Sequence, residues 1–389
     1  MIELIEYETS IVALDHAEAI ELTALTRGST DAKRRPRVIE RLAVGSRAGE
    51  YEVKPGPYIG RFALHTGRVV DISSRFPFPD LTALLGLGRR ATMLHEAAAP
   101  AAGGHGLMDA IALAFAREAE RVAGQGLAKD YQTRTFTRPP YPGIPAAGAH
   151  LTAHAGRPDR LVTTAKRLTL DIPINRVLAQ AHRRLSQLTY HDPHITTRLR
   201  ALAPVFHPIT AGDAGMAVVP ARYRQVYDLA RLVLDDRTAL PTDAGLAGAS
   251  VLFNMTKIWE AYVARWLADT VGPGKTVAEQ YPIPLVDEGE ARNAVADFVV
   301  LRSERPVAVY DAKYRPWQSW PSTDELYQLF TYASRLRLDR AALVHPAREA
   351  RRSTTRIGDI VIDSLALSII ATADEPVTTG NERDDPPGA

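Results

Sequence analysis

Hydrophobic positions follow different spacings along this chain, and each spacing predicts a different kind of region. Residues 1 to about 95 contain short apolar runs, such as Val38–Val44 and Arg68–Ile72, separated by glycine and proline. Such runs indicate strands, because glycine and proline favour the turns between them. We therefore predict a β-rich N-terminal domain over residues 1–98, followed by a loop rich in alanine, glycine and proline.

Residues 99–248 carry apolar side chains mainly at helical spacing, which predicts a helical region. Three stretches show this spacing: Leu107–Val122, Ile174–Leu188 and Arg222–Leu234. Between the first two, Tyr131–Arg138 is rich in β-branched and aromatic residues and is predicted to be a strand. We interpret His191–His194 as a loop. This middle region is therefore expected to be mainly helical.

The last predicted domain, residues 249–372, begins with an amphipathic helix. Its apolar face consists of Met255, Ile258, Trp259, Tyr262, Val263 and Trp266. Two apolar runs follow, Phe298–Leu301 and Val307–Tyr310, and the polar segment Arg302–Pro306 between them predicts a β-hairpin. Strands and helices in alternation predict an α/β domain, with a mixed sheet flanked by helices.

The rest of this domain is predicted to contain one more helix and two more strands. Ser322–Glu325 has the pattern of a capping box and begins a helix that runs to about Leu338. Ala341–His345 and Asp359–Ile370 are apolar enough to be strands. Residues 373–389 are rich in acidic residues, proline, glycine and threonine, so this tail is predicted to be disordered.

Three charged residues lie where the hairpin would bring them together. Asp311 and Lys313 are two residues apart, so their side chains point to the same face of a strand. Asp297 opens the preceding apolar run, and the hairpin would place it beside them. Two carboxylates and a lysine on one sheet face suit Mg²⁺-dependent hydrolysis of phosphodiesters. The carboxylates can hold the metal, and the lysine can orient or deprotonate the attacking water.

The neighbouring predicted helices add three polar residues. Glu260 lies beside the apolar face of the first helix, and Gln328 and Tyr332 share one face of the second. The order of these elements resembles the PD-(D/E)xK nuclease superfamily, including the Gln-x-x-x-Tyr element of its RecB-like branch. Three simpler interpretations stay open: a sheet edge with incidental charges, a solvated Glu260, and a pair, Gln328 and Tyr332, that only packs on the sheet.

The segment Ala296–Ala333 also resembles McrC, the nuclease subunit of the McrBC modification-dependent restriction system. The residues that carry the likeness are Asp311–Tyr314 and Asp324–Ala333. Upstream, Ile174–Arg176 and the β-rich N-terminal region resemble the same family more loosely. Ala296 departs from the superfamily pattern, which has proline there, but this position binds no metal.

The resemblance implies a site, a substrate and a partner. Asp297 and Asp311 would hold Mg²⁺, with the Ala312 carbonyl as a candidate third ligand, and Lys313 would position the water. The substrate would be DNA that carries modified bases. The partner would be a separate AAA+ GTPase of the McrB type, docked by residues 1 to about 245, the helical region included. The alternatives are a RecB-like repair or processing nuclease without a motor and a non-catalytic assembly subunit.

The composition of the chain excludes several kinds of functional site and limits how it could bind DNA. The 389-residue chain has no cysteine, which excludes disulfides, thiolate zinc sites and cysteine nucleophiles. Its 47 basic and 45 acidic residues give a net charge of +2, so any DNA-binding surface must be local. The first residues are acidic where a signal peptide would be basic, and no apolar run reaches the ~18 residues of a membrane span. We expect a cytoplasmic protein without a membrane partner.

Three other segments resemble motifs and are interpreted as ordinary structure. Gly272–Thr276 looks like the end of a P-loop, but Asp269 stands where the first glycine of the motif belongs. We interpret the segment as a turn, which leaves the chain without its own NTPase motif. His150 and His154 lack the glutamate of an HExxH zinc site. The basic residues Arg348, Arg351 and Arg352 are interpreted as a solvated loop.

Overall fold

The structure is a computed structural model of the chain. It describes residues 1–26, 37–77, 80–81, 84–85, 106–154, 156–157, 159–210, 219–234, 250–287, 290 and 292–369. The chain divides into two compact units, one formed by residues 1–99 with 236–389 and the other by residues 100–235. The predicted domain boundaries after residues 98, 248 and 372 lie outside the described residues, as does the predicted disordered tail.

Strands predominate in the first and last parts of the described chain, and helices predominate between residues 106 and 234. The strands are β1 (Ile2–Ile5), β2 (Ser10–Ala13), β3 (Ile39–Val44), β4 (Glu50–Pro55), β5 (Tyr58–Ala63), β6 (Val69–Ser73), β7 (Asp130–Phe136), β8 (Ile144–Pro145), β9 (Thr163–Thr169), β10 (Ser250–Asn254), β11 (Lys275–Pro284), β12 (Asn293–Arg302), β13 (Arg305–Ala312), β14 (Arg340–Ala347), β15 (Arg351–Ile357) and β16 (Ile360–Ser368). The helices are α1 (His16–Ala24), α2 (Leu107–Gly124), α3 (Ala147–His154), α4 (Pro173–Ser186), α5 (Pro193–Phe206), α6 (Arg224–Leu234), α7 (Met255–Thr270) and α8 (Thr323–Leu336). In the described part of the chain, no helix has the length and apolar character to cross a membrane.

The N-terminal region is β-rich, as predicted, and forms two small sheets. One has the strand order β2-β4-β3, and the other has the order β1-β6-β5-β10. In the second sheet β1 runs parallel to β6, and the other pairs are antiparallel. Leu22, Val53 and Phe62 are fully buried in the core that these sheets share with α1. The region therefore has a hydrophobic core of its own.

Strand β10 returns the chain to the N-terminal sheet after the second unit. It pairs with β5, and the two backbones come close at Gly60, which has φ +125°. An added Cβ there would lie 2.2 Å from the carbonyl oxygen of Val251, so only glycine fits. Directly afterwards, Asn254 caps helix α7 by accepting a hydrogen bond from the backbone N–H of Thr256. The N-terminal sheet thus leads straight into the helix that carries Glu260.

A six-stranded mixed sheet forms the core of the C-terminal region. Its strand order is β11-β12-β13-β14-β16-β15; within this sheet, β13, β14 and β16 pair in parallel and the other described pairs are antiparallel. Helix α8 packs on one face, where Leu329 and Ala333 share a core with Val299 and Leu343. Helix α7 packs on the other face, where the Trp259 indole donates a hydrogen bond to the Val344 carbonyl, 3.0 Å. The predicted α/β arrangement with flanking helices is therefore present.

Local sequence signals in this region are formed as predicted. β12 and β13 make the hairpin, and Ser303 and Glu304 at its turn have φ +48° and +64°, as tight two-residue hairpin turns require. Ser322 and Glu325 make both hydrogen bonds of the capping box. Strands β14 and β16 are also confirmed. The interpretation of Arg351 as part of a loop is wrong, because it begins the edge strand β15, which pairs with β16.

The second unit is mainly helical, as predicted, with a small sheet of order β7-β9-β8. The predicted helices and the strand β7 are confirmed. The loop interpretation of His191–His194 holds for His191 and Asp192 and is wrong for Pro193 and His194, which are helical. Asp192 accepts a hydrogen bond from the backbone N–H of His194, 2.8 Å, and Pro193 begins helix α5. Proline suits this position because the first helical residues need no N–H partner within the helix.

The Asn175–Arg176 pair ties helix α4 to its neighbours in the second unit. The Asn175 amide donates hydrogen bonds to the carbonyls of Ala128, 2.9 Å, and Leu170, 2.8 Å. The Arg176 guanidinium lies 2.8 Å from Asp171 and holds the pKa of that carboxyl down at about 2. Both side chains therefore stabilise this unit from within.

Candidate active site

The three charged residues that the sequence pattern placed on one sheet face lie together. The Lys313 Nζ lies 2.6 Å from Asp311 Oδ2. Asp297 Oδ2 accepts a hydrogen bond from the backbone N–H of Ala312, 2.9 Å. Asp311 is 1% exposed, whereas Asp297 and Lys313 are half-buried. The hairpin therefore brings two carboxylates and an ammonium group to one place.

Gln328 and Tyr332 join this cluster from helix α8. The Gln328 amide nitrogen donates to Asp311 Oδ1, 3.0 Å, and to the Tyr332 hydroxyl, 2.9 Å. Lys313 donates to Gln328 Oε1, 3.4 Å, and Tyr332 donates to the Val295 carbonyl, 3.0 Å. Tyr332 is only 2% exposed. Gln328 thus contacts the charged pair directly, while Tyr332 packs in the core and orients Gln328.

Glu260 reaches the same cluster from helix α7. Burial raises its pKa, and the charges of Asp297 and Asp311 raise it further, to about 7. The side chain is half-buried and lines the same cleft as the two aspartates. The cluster therefore holds more negative than positive charge, because three carboxylates lie near two lysines, Lys257 and Lys313.

The environment of Lys313 keeps its amine protonated. Burial alone would lower the pKa of Lys313, but the adjacent Asp311 carboxylate outweighs burial, and Asp297 adds to it. The net result is a raised pKa. The protonated lysine is a hydrogen-bond donor, so it suits orienting a water or stabilising negative charge better than removing a proton.

A cleft of about 620 Å³ opens at this cluster and is lined by both regions of the first unit. The C-terminal region contributes Thr256, Glu260, Asp297, Asp311, Ala312, Lys313, Tyr314, Arg315 and Gln328. The N-terminal region contributes Tyr7, Arg37, Glu40, Gly56 and Pro57. No motif marks these five residues in the sequence, and only the packing of the two regions reveals them.

Tyr314, directly after Lys313, is held by the N-terminal region. Its hydroxyl donates to Glu6 Oε1, 2.8 Å, and its carbonyl accepts from the Tyr7 hydroxyl, 2.7 Å. The Arg75 guanidinium lies 5.0 Å from the centre of the Tyr314 ring and 5.3 Å from that of Tyr7, within the range of cation–π attraction. Burial raises the pKa of Glu6 despite the neighbouring Arg75. The end of the site-bearing strand is therefore anchored in the N-terminal region.

The donor set suits a hard divalent cation. Asp297, Asp311 and Ala312 line one cleft and offer carboxylate and carbonyl oxygens, the ligands that Mg²⁺ prefers. The negative excess that raises the pKa of Glu260 would be relieved by a bound cation. Across the described residues, no group of three or more His, Asp or Glu side chains is arranged to hold a metal. A metal here would rely on these two aspartates, with the carbonyl or water completing its ligands.

The model of the family described as McrBC 5-methylcytosine restriction system component matches residues 53–346. No curated protein matches the chain.

Two solved structures from Thermococcus gammatolerans are similar to it. One is a refined half-complex from a tetradecameric assembly of McrB AAA+ hexamers with bound McrC; the similarity covers 97% of this chain and 96% of the compared chain, at 16% identity and a TM-score of 0.60. The other is the cryo-EM structure of the McrBC complex. That similarity covers 70% of this chain and 88% of the compared chain, at 16% identity and a TM-score of 0.44. The first similarity shows a shared fold, and the family match covers three quarters of the sequence. The chain belongs to the McrBC 5-methylcytosine restriction system component family.

Proposed function

We propose that this chain is the Mg²⁺-dependent endodeoxyribonuclease subunit of a modification-dependent restriction complex, with a nuclease domain of the PD-(D/E)xK type. The observation that carries the proposal is the convergence of Asp297, Asp311 and Lys313 at one cleft with an excess of negative charge. Membership of the McrBC family supports a role in restriction and DNA as the substrate.

The residues of the cleft have distinct proposed roles. Asp297 and Asp311 would hold the metal, with the Ala312 carbonyl as a third ligand. When bound, Mg²⁺ would polarise the scissile phosphodiester and lower the pKa of the attacking water. Lys313, protonated, would donate to the water or to the phosphate oxygens and stabilise their growing negative charge. Gln328 would hold the side chains of Asp311 and Lys313 in their relative positions, because its amide nitrogen donates to Asp311 and its amide oxygen accepts from Lys313.

Two further residues support this set. Glu260, with a pKa of about 7, holds a proton in a fraction of molecules near neutral pH and adds a third carboxylate when it loses that proton. Tyr332 acts through Gln328, because its hydroxyl accepts from the Gln328 amide and donates to Val295. We therefore propose Tyr332 as a positioning residue rather than a catalytic one.

We further propose that the chain works with a separate AAA+ GTPase of the McrB type. The similar structure from T. gammatolerans contains McrB AAA+ hexamers with bound McrC. The P-loop-like segment of this chain is a turn, in which Lys275 donates to the Gly272 carbonyl before β11 begins. The motor would therefore supply the nucleotide chemistry, and the helical unit and the N-terminal region would dock it.

A truncated chain of residues 1–245 is not a suitable test of this docking. It would remove β10, which pairs with β5 and completes the N-terminal sheet. The loss would leave β5 with an unpaired edge and expose its core to water. The full chain carrying Asp311→Asn keeps every strand and is the better choice.

The decisive experiment combines the full chain with a McrB-type GTPase and GTP on methylated and unmethylated plasmid. We expect cleavage of methylated plasmid that needs Mg²⁺, is stopped by EDTA and is lost in Asp311→Asn. We also expect Asp311→Asn to stimulate GTP hydrolysis as well as the unchanged chain does. Robust cleavage of unmethylated DNA without the motor would favour a RecB-like processing nuclease. Normal stimulation of the motor with no cleavage by any form of the chain would favour an assembly subunit.

A further inference from the structure

The N-terminal region brings a cation to the wall of the nuclease cleft. Arg37 precedes strand β3, is exposed, and lines the cleft together with the metal-binding candidates Asp297 and Asp311. Nothing in the local sequence relates Arg37 to a nuclease site, since it lies 260 positions before Asp297 (297 − 37). The packing of the two regions alone makes it part of the cleft.

Arg37 differs from the other cations of the cleft in its partners. Lys313 is paired with Asp311 at 2.6 Å, and Arg315 is paired with Glu325 at 2.6 Å. Arg37 has no carboxylate partner among the described residues. Glu40, the acidic residue that the N-terminal region contributes to the cleft lining, is paired with Lys54 at 3.0 Å. Arg37 is therefore the cleft cation whose charge the described part of the chain leaves available for a ligand.

The backbone beside Arg37 is held in place by a glycine. The Gly56 N–H donates to the Val38 carbonyl, 2.9 Å, which joins the loop after β4 to the chain entering β3. An added Cβ on Gly56 would lie 2.1 Å from the carbonyl oxygen of Arg37. This close approach requires glycine, and it fixes the base of the Arg37 side chain at the cleft wall.

We propose that Arg37 binds a backbone phosphate of the DNA strand that enters the cleft, beside the phosphodiester held at Asp297 and Asp311. The inference rests on the proposed nuclease function. The cleft is lined by the carboxylates of Glu40, Glu260, Asp297 and Asp311, which repel a polyanion. A cation without a carboxylate partner among the described residues therefore supplies the attraction that positions the strand. A guanidinium matches phosphate geometry with two parallel hydrogen bonds. Such a contact is independent of base sequence and sets the register of the strand.

The test compares Arg37→Ala and Arg37→Lys with a matched control on the strand β3 that follows Arg37. The control is Arg41→Ala, because Arg41 is exposed on β3 but is paired with Glu52 at 2.8 Å and does not line the cleft. Binding of each full-length protein to a fluorescent DNA duplex is measured by anisotropy with Ca²⁺ in place of Mg²⁺, over a series of salt concentrations. Circular dichroism verifies that each variant is folded.

We expect Arg37→Ala to weaken binding about tenfold, the loss typical of one charge-assisted hydrogen bond. The slope of log Kd against log salt should fall by about 1. Arg37→Lys should keep the slope and recover part of the affinity, and Arg41→Ala should match the unchanged chain. The inference is overturned if Arg37→Ala binds with the same affinity and slope as Arg41→Ala, or if the unchanged chain binds no DNA. Failure of the nuclease proposal would appear separately, as absence of Asp311-dependent cleavage with DNA binding retained.

Discussion

Two buried aspartates of the six-stranded sheet have opposite surroundings. Asp311 is 1% exposed and Asp363 is fully buried. The oxygens of Asp363 accept hydrogen bonds from Arg340, 3.3 Å, from both Nε and Nη2 of Arg352, 3.2 and 3.0 Å, and from Thr354, 2.8 Å. One carboxylate thus faces two guanidinium groups, and no cleft-lining residue lies among them.

Around Asp311 the balance of charges is reversed, with more carboxylates than cations. Asp311, Asp297 and Glu260 lie beside Lys313, and all four line a cleft, while Lys257 adds a second ammonium group near Glu260. A buried, paired carboxylate is therefore not in itself the mark of a site. The mark is a surplus of carboxylates over cations beside a cleft, because that surplus leaves room and charge for a metal.

The largest difference between the two aspartates should appear when each is replaced by alanine. We expect Asp311→Ala to reduce Mg²⁺-dependent cleavage by at least about 10³-fold with the fold retained, since relief of carboxylate repulsion offsets the lost ion pair. Asp363→Ala should lower the free energy of unfolding by about 1–3 kcal/mol, because the buried hydrogen bonds to its carboxylate are lost while the partly exposed guanidinium groups can turn to water. Cleavage assays and urea unfolding measure the two effects. Undiminished cleavage by Asp311→Ala would contradict the site assignment.

Replacing the cation of each cluster should show the same contrast: loss of activity at Lys313 and loss of stability at Arg352. Lys313→Ala is expected to lower the maximal cleavage rate by about 10²- to 10³-fold, because it removes the donor that stabilises developing charge, while metal affinity stays nearly unchanged. Arg352→Ala should leave the cleavage rate of the folded protein intact and lower its melting temperature. Titration of rate against Mg²⁺ separates these outcomes. A Lys313→Ala protein that regains its full rate at high Mg²⁺ would show that the lysine serves metal binding instead.

The charge surplus of the site predicts a pH dependence of stability in the metal-free protein. The pKa of Glu260 is raised from 4.5 to about 7, so between these values the folded protein keeps a proton that the unfolded chain has lost. The stability that this proton contributes is complete below pH about 4.5 and is lost as pH rises through about 7. Glu260→Gln should therefore stabilise the metal-free protein above pH 7, by about 1–2 kcal/mol after allowance for solvent screening.

Thermal melts from pH 4.5 to 8 would measure this effect. Mg²⁺ should reduce the difference between Glu260→Gln and the unchanged chain, because a bound cation neutralises the surplus. Equal melting curves for both proteins across this range would contradict the electrostatic picture of the cluster.

The smallest effect is expected at Tyr314, which follows Lys313 and is held by the N-terminal region. Tyr314→Phe removes the hydroxyl that donates to the buried Glu6 carboxylate but keeps the ring beside Arg75. The free energy of unfolding should fall by about 1–2 kcal/mol, because Glu6 still accepts from Ser74 and the Arg75 backbone. We expect kcat to fall by less than about tenfold with KM unchanged. A loss as large as that of Lys313→Ala would place Tyr314 in the reaction itself.

Much of the candidate site could be predicted because it depends on short-range geometry. Asp311 and Lys313 share a strand face through the two-residue period, and Gln328 and Tyr332 share a helix face through the four-residue one. The turn at Ser303 and Glu304 and the capping box at Ser322 are local as well. Each of these features involves residues close in sequence, so backbone periodicity is enough to orient them.

Basic residues after β14 show where prediction from local pattern failed. Arg352 looked like part of a solvated loop because its polar neighbours carry no apolar alternation. Its strand is an edge strand, and its guanidinium pairs with Asp363 on the neighbouring strand β16. The hydrophobic pattern does not predict an ion pair of this kind, because it records only apolar positions. The pair becomes visible only when the two strands are seen to be neighbours.

The sequence by itself determined the family, the α/β character of the last third, the hairpin and the order of the charged residues upon it. The tertiary structure alone decided that Tyr7 and Arg37 complete the cleft, that Tyr314 is held by Glu6 across 308 positions of sequence, and that Glu260 titrates near neutral pH. The physical reason is the separation along the sequence over which each kind of interaction acts. Periodicity orients side chains within one element, whereas contacts between distant segments, and the burial and charge that shift a pKa, exist only after the core has packed.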